Sequence, residues 1–110
     1  MSVTIYHNPR CSKSRQAKAL LDEKAVDFTV IEYLKDTPSQ AFFVKALHTL
    51  GHDILRMKEA DYKENFSQDT SIEEIAKKLT QFPKAMERPL VVNGDKMAIG
   101  RPTENILEIL

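Results

Sequence analysis

Cys11 is the only cysteine of the chain, and its neighbours are basic and polar. The stretch from His7 to Arg15 contains four potentially cationic side chains, and the first acidic residue of the chain is Asp22. A free thiol with a pKa of about 8.5 is mostly protonated at neutral pH, whereas a thiol at a helix N-terminus beside cations can have a pKa of roughly 3.5–7.5. The pattern therefore predicts a reactive thiolate at Cys11, against the alternative of an inert buried cysteine.

The five arginines are distributed unevenly, whereas the eleven lysines are scattered along the chain. Arg10 and Arg15 flank the cysteine, and two others stand in the pairs Arg88-Pro89 and Arg101-Pro102. A guanidinium can hold two oxygens of a tetrahedral anion in fixed geometry, and the N–H groups at a helix start bind the same anions. Any single arginine is more often a surface charge. Taken together with the cysteine, the arginines predict a site where an oxyanion binds next to a nucleophile.

The histidines carry weaker signals. His48 and His52 have the i, i+4 spacing of a metal pair, but no carboxylate-histidine signature surrounds them, so we predict surface residues and no metal site. His7 either supports the thiolate or is simply solvated.

Composition limits the classes of function. A chain of 110 residues fits one domain, residues 1–110, and the 16 acidic and 16 basic side chains balance, so no global field recruits nucleic acid or a membrane surface. The sequence shows neither a membrane-spanning length of apolar residues nor a signal peptide, which predicts a cytoplasmic protein. A single cysteine allows no internal disulfide and no thiolate zinc site.

The elements that must position Cys11 begin with a strand over Val3–Tyr6 and a helix from about Ser12, where Ala17, Leu20 and Leu21 recur at helical spacing. A second strand is predicted over Phe28–Tyr33, parallel to the first. Cys11 then lies where the first strand and its loop give way to the helix.

A helical block follows. Thr37-Pro38-Ser39-Gln40 has the pattern of a capping box and predicts a helix that ends at Gly51, and 52–65 is predicted to be helical in short pieces. A second capping box, Ser71 to Glu74, opens a helix that Pro83 ends.

The C-terminal part reads as a hairpin and a closing helix. The strands Pro89–Val92 and Lys96–Ile99 flank Asn93-Gly94, a dipeptide that favours a tight turn, and Pro102 opens the last helix. The whole order is that of an α/β, thioredoxin-like fold with a helical insertion between the βαβ and ββα halves.

Four blocks of sequence together resemble the glutaredoxin-coupled arsenate reductase (ArsC) family over nearly the whole chain. The blocks are Tyr6-His7-Asn8-Pro9-Arg10-Cys11-Ser12-Lys13-Ser14-Arg15, Leu55-Arg56, Glu87-Arg88-Pro89-Leu90-Val91-Val92 and Gly100-Arg101-Pro102.

The resemblance implies roles for individual residues. Cys11 is the nucleophile, and the oxyanion is bound by three arginines, Arg56, Arg88 and Arg101. Pro89 corresponds to the cis-proline of this fold. The supporting residues are His7, Asn8, Ser14 and Arg15.

The resemblance also implies a reaction. The thiolate displaces hydroxide from arsenate, glutathione attacks the cysteinyl-arsenic adduct, and glutaredoxin resolves the mixed disulfide as arsenite is released. No cofactor is bound, glutathione is a co-substrate, glutaredoxin is the protein partner, and the chain is expected to be a monomer.

Two features depart from the family pattern. Arg10 precedes the cysteine where a small residue is common, and the chain ends at Leu110 without a longer C-terminal segment, as in a shorter chromosomal branch. Two alternatives therefore stand beside arsenate reduction. One is an Spx-like regulator that binds RNA polymerase, although Ser14 replaces the second cysteine of its usual redox switch. The other is a related thiol reductase acting on another oxyanion or on mixed disulfides.

Overall fold

The computed structural model describes residues 3–66 and 71–110, and the chain forms two compact units. The first unit joins Met1–Tyr33 to Arg88–Leu110, and the second is Leu34–Glu87. That the chain acts as one domain stays a prediction.

The first unit is built on a four-stranded mixed sheet. Its strands are β1 (Val3–His7), β2 (Phe28–Glu32), β3 (Leu90–Asn93) and β4 (Lys96–Ile99), in the order β2-β1-β3-β4. β1 is parallel to β2 and antiparallel to β3, which is antiparallel to β4. Helix α1 (Ser12–Glu23) connects the two parallel strands, and a 3₁₀ helix, Thr103–Ile109, closes the unit. The predicted strands, helix and parallel pairing are confirmed.

The core of this unit follows from the two periodicities of its elements. Burial alternates along β1, where Val3 and Ile5 are buried, because successive strand side chains face opposite sides of the sheet. Ala17 and Leu21, four residues apart on α1, are buried in the same cluster, as is Ile106 of the closing helix. The sheet thus has α1 and the closing helix packed on its hydrophobic side chains.

The hairpin is confirmed, but its turn lies one residue later than predicted. Asn93 is the last residue of β3 and pairs with Lys96, which leaves Gly94 and Asp95 as the two loop residues. Gly94 has φ +62°, the positive angle that a type II′ turn requires at its first loop residue. The predicted Asn93-Gly94 turn was therefore wrong by one position, because register across the hairpin decides which pair forms the loop.

The second unit is helical. It contains α2 (Gln40–Leu50), α3 (Ala60–Asn65) and α4 (Ile72–Gln81), with 3₁₀ turns at Gly51–Ile54 and Pro83–Ala85. Helices α2 and α4 pack together, and the fully buried side chains of the unit include Phe43, Ile54 and Leu79.

The helix starts in this unit show one correct and one wrong prediction. Ser71 caps α4, and its hydroxyl accepts from the N–H of Glu74 at 3.1 Å, as the capping box predicted. The cap of α2 is Ser39 and not Thr37, because the Ser39 hydroxyl accepts from the N–H of Phe42 at 3.1 Å. Ser39 lies two positions after Thr37, so the helix begins later than predicted.

Candidate active site

The register of the sheet brings three separate segments to one edge. Tyr6 of β1 pairs with Leu90 of β3, which pairs in turn with Ile99 of β4. The segment that follows β1 leads to Cys11, the segment that precedes β3 ends in Arg88-Pro89, and Gly100-Arg101 follows β4. Three of the four sequence blocks that contain candidate site residues therefore meet at this edge of the first unit.

Cys11 is the N-cap residue of α1 and is half-buried. Its N–H donates to the carbonyl of Asn8 at 3.0 Å, and its own carbonyl accepts the first helical bond, from the N–H of Arg15, at 3.0 Å. The Asn8 side-chain oxygen also accepts from the N–H of Arg10 at 3.0 Å. The loop before the helix is thus closed by its own backbone, and the thiol sits where the unpaired N–H groups of the helix begin.

Ser14 connects this loop to the end of β1. It is fully buried, and its hydroxyl oxygen accepts from the N–H of Asn8 at 3.0 Å and lies 2.5 Å from His7 Nδ1. Burial and the charges of Lys18 and Arg15 lower the pKa of His7, against the opposing charge of Glu32. The Ser14 hydroxyl thus hydrogen-bonds both to the end of β1 and to the loop, and the imidazole tautomer sets which atom donates between Ser14 and His7.

Arg101 reaches the sulfur from the other end of the chain. Its Nη2 lies 3.6 Å from Cys11 Sγ, and its Nε donates to the carbonyl of Arg88 at 2.8 Å. Asn105, in the closing helix, donates from Nδ2 to the carbonyl of Arg101 at 3.1 Å. Hydrogen bonds to the side chain and to the backbone of Arg101 therefore hold its guanidinium at the thiol.

Gly100 makes this placement possible. A Cβ added there would lie 2.8 Å from Pro89 Cγ, closer than any ordinary contact between side chains. The peptide bonds Arg88–Pro89 and Arg101–Pro102 on either side of this contact are both cis. Only glycine lets the end of β4 lie against Pro89. Neither Gly100 nor Asn105 carried a predicted role of its own, although Gly100 belongs to the Gly100-Arg101-Pro102 block.

The pKa of Cys11 lies below that of an ordinary cysteine. Burial raises the pKa, but the backbone N–H of Ser14, the charge of Arg88, the backbone N–H of Lys13 and the charge of Arg101 lower it by more. The sequence predicted the direction but named other cations as the cause. The charges come from Arg88 and Arg101, not from the arginines next to the cysteine.

The remaining predicted site residues lie as follows. Arg15 is exposed, and its Nη1 donates to the carbonyl of Pro9 at 2.8 Å, so it braces the loop that carries Cys11. Arg56 belongs to the second unit, where its Nη1 lies 3.1 Å from Glu59 Oε2 and its N–H donates to the carbonyl of Ala85. His48 and His52 are exposed, as predicted.

We expect Cys11 to react with iodoacetamide at pH values where an ordinary thiol does not. Because folding lowers its pKa, the thiolate persists as the pH falls below about 8.5 and is lost only when the pH passes the lowered value. The midpoint of the alkylation rate against pH should lie below that of an ordinary cysteine. The same protein in urea supplies the control, and coincident folded and unfolded midpoints would contradict the thiolate.

Replacing Ser14 with alanine should destabilise the protein by about 1–3 kcal/mol, because His7 Nδ1 and the N–H of Asn8 lose a buried partner. Urea unfolding measures this loss. Ser12→Ala is the matched control, since Ser12 is exposed on the same helix turn. Equal stabilities of the two variants would show that the buried hydroxyl contributes nothing to the fold.

Among the described residues there is no group of three or more metal-ligating side chains. No helix in the described part of the chain is long and apolar enough to cross a membrane.

The chain is similar to known proteins over almost its whole length. The model of the ArsC family matches residues 6–109. The chain is 42% identical to an arsenate reductase of Haemophilus influenzae, with 100% of each chain covered, and 44% identical to the uncharacterized protein YfgD of Escherichia coli K12, covering 98% of this chain and 96% of that one. A solved structure of an arsenate reductase from Vibrio cholerae matches with a TM-score of 0.90 and 41% identity, over 100% of this chain and 98% of the other.

Proposed function

The chain belongs to the ArsC family of thioredoxin-like arsenate reductases, and on that premise we propose that it reduces arsenate to arsenite through Cys11 with electrons from glutathione and glutaredoxin. Arsenate reductases with this fold align with it over the full chain. The proposal assigns the chemistry to one thiol and its arginines.

One observation carries the proposal. Arg101 Nη2 lies 3.6 Å from Cys11 Sγ, at the start of a helix whose backbone N–H groups and nearby arginine charges lower the pKa of the thiol. The same guanidiniums that stabilise the thiolate can bind the oxygens of a tetrahedral oxyanion. Because the nucleophile and the anion-binding site share the same cations, a bound oxyanion lies beside the thiolate. The protein then needs no further reacting group for this step.

In the first step the Cys11 thiolate attacks arsenic. A sulfur–arsenic bond forms, an arsenic–oxygen bond breaks, and the leaving hydroxide takes up a proton and departs as water. Arg88 and Arg101 neutralise the charge that collects on the remaining oxygens, which is the main contribution a preorganised site can make. Arg56, the third arginine that the family resemblance names, is proposed as a further oxyanion-binding residue.

In the second step glutathione supplies the reducing thiol. Its sulfur attacks the Cys11 sulfur of the adduct, a disulfide bond forms, and the electron pair of the sulfur–arsenic bond stays on arsenic. As(V) is thereby reduced by two electrons to As(III), two thiols are oxidised to one disulfide, and arsenite leaves. Glutaredoxin then exchanges with the Cys11–glutathione disulfide and restores the thiolate. One protein cysteine is enough because every further thiol comes from outside.

A reaction fed by glutathione belongs to a reducing compartment, so the proposed location is the cytoplasm. His7, Asn8, Ser14 and Arg15 are assigned to holding the loop and the start of α1 in place. None of them is assigned a step in the chemistry.

The test is arsenate-dependent oxidation of NADPH by the purified protein with glutathione, glutaredoxin and glutathione reductase present. We expect turnover that stops when arsenate, glutathione or glutaredoxin is omitted. Arsenite should appear in a one-to-one ratio with NADPH consumed. Turnover of glutathionylated peptides without any reduction of arsenate would instead favour the related thiol reductase and refute arsenate as the substrate.

A further inference from the structure

Beside the Cys11 loop lies a surface cavity of about 380 Å³ that the reaction described so far does not use. Its lining residues come from β1, the loop and α1, and they are His7, Pro9, Arg15, Lys18, Ala19 and Asp22. The volume falls within the range of roughly 300–1,000 Å³ that small-molecule sites occupy.

The cavity continues the face of α1 that begins with the nucleophile. Cys11, Arg15, Lys18 and Asp22 are spaced by four, three and four residues, so they lie on one side of the helix. With a rise of about 1.5 Å per residue, Lys18 lies roughly 10 Å and Asp22 roughly 16 Å along the axis from Cys11. A molecule bound in the cavity can therefore extend from the sulfur toward these charges.

The charges of the cavity are arranged in order. Two cations, Arg15 and Lys18, come first, and the carboxylate of Asp22 follows at the far end. Pro9 and Ala19 supply apolar walls, and the buried His7 supplies a polar one. This order complements a ligand whose negative group lies nearer the thiol and whose positive group lies beyond it.

The γ-glutamyl end of glutathione is such a ligand. It carries an α-carboxylate and an α-ammonium on the same carbon, whereas the glycyl end carries a carboxylate alone. One arm of an extended tripeptide reaches roughly 7–10 Å from its central sulfur. With its sulfur at Cys11, glutathione can place the α-carboxylate by Arg15 and Lys18 and direct the ammonium toward Asp22.

We propose that this cavity binds the γ-glutamyl arm of glutathione and so delivers its sulfur to Cys11. The proposal rests on the proposed function for its co-substrate. It adds the binding site of that co-substrate and makes Lys18 and Asp22 specificity-determining residues, separate from the arginines that bind the oxyanion.

The first test is Lys18→Glu, which reverses one charge of the cavity on an exposed position of α1. The KM for glutathione should rise roughly fivefold to tenfold while the KM for arsenate stays unchanged. Lys24→Glu is the matched control, because Lys24 is an exposed lysine at the end of the same helix and outside the cavity. Equal KM values for glutathione in the two variants would overturn the proposal.

A series of thiols identifies the arm. γ-Glutamylcysteine should show the same dependence on Lys18 as glutathione, whereas cysteinylglycine and 2-mercaptoethanol should react equally with wild type and Lys18→Glu. For cysteinylglycine and 2-mercaptoethanol, equal rates in wild type and Lys18→Glu also show that the variant has left Cys11 itself unaltered. If Lys18→Glu slowed the reaction of cysteinylglycine but not that of γ-glutamylcysteine, the cavity would bind the glycyl arm, and the proposal would be refuted.

Direct binding separates this proposal from the proposed function. S-Methylglutathione cannot react, so its binding to the resting protein, followed by amide shifts in NMR spectra, needs no arsenate reduction. Binding that shifts the amides of α1 and weakens roughly fivefold to tenfold in Lys18→Glu supports the cavity even if arsenate is not the substrate. Failure of S-methylglutathione to bind at millimolar concentration, in a protein that does reduce arsenate, overturns the cavity alone.

Discussion

Cys11→Ser is expected to abolish arsenate reduction, with a loss of at least about a thousandfold in kcat. A serine hydroxyl remains protonated where the Cys11 thiol is ionised, and its oxygen cannot form the sulfur–arsenic bond or the later disulfide. The change removes one sulfur at a half-buried position and leaves the bonds of the Cys11 backbone in place. Coupled NADPH oxidation and direct measurement of arsenite provide two independent readouts.

The fold of this variant should remain intact, as judged by circular dichroism and urea unfolding. Arg88 and Arg101 also remain, so arsenate should still bind to the serine variant, and its Kd can be measured without turnover. Residual reduction within tenfold of wild type would mean that the nucleophile lies elsewhere, which is hard to reconcile with a chain that contains one cysteine.

Arg101→Ala is expected to lower kcat/KM for arsenate by roughly a hundredfold. The variant loses the guanidinium that lies 3.6 Å from Cys11 Sγ, and with it one of the charges that lower the pKa of the thiol. The KM for arsenate should therefore rise, and the midpoint of Cys11 alkylation should shift to higher pH. A purely structural defect would not raise the KM for arsenate and the midpoint of Cys11 alkylation together.

Two further variants sharpen this test. Arg101→Lys keeps the charge but not the planar fork, so the alkylation midpoint should return most of the way to wild type while the KM for arsenate stays high. Arg10→Ala removes an equal charge from an exposed residue next to the cysteine and should leave both quantities unchanged. Wild-type arsenate kinetics in Arg101→Ala would refute the assignment of Arg101 to the oxyanion.

Local signals in the sequence were sufficient for most elements of the fold. The strand predicted over Val3–Tyr6, the helical spacing of Ala17 and Leu21, and the capping box at Ser71 each depend on residues close together in the chain, and the structure confirms all three. The misplaced features are those decided by competition or by a partner strand. Ser39 and not Thr37 caps α2, and the register between β3 and β4 moves the turn to Gly94 and Asp95.

The reactive thiol could be predicted because its surroundings are partly local. A cysteine at the junction of a loop and a helix receives the helix N–H groups whatever the rest of the chain does. The sources of its charge stabilisation could not be predicted from neighbouring residues, since Arg88 and Arg101 are distant in sequence. The family resemblance named them, but no local pattern brings them to Cys11.

The sequence by itself determined a lone thiol at a helix start, the order of the elements and the hairpin, because these follow from short-range propensity and spacing. Only the tertiary structure decided which cations reach the sulfur. The pairing of Tyr6 with Leu90, and of Leu90 with Ile99, sets Arg88 and Arg101 at the edge where Cys11 emerges, and the missing side chain at Gly100 lets them approach. Such long-range pairing is the sum of many weak contacts across the sheet and the core, and no single stretch of residues encodes it.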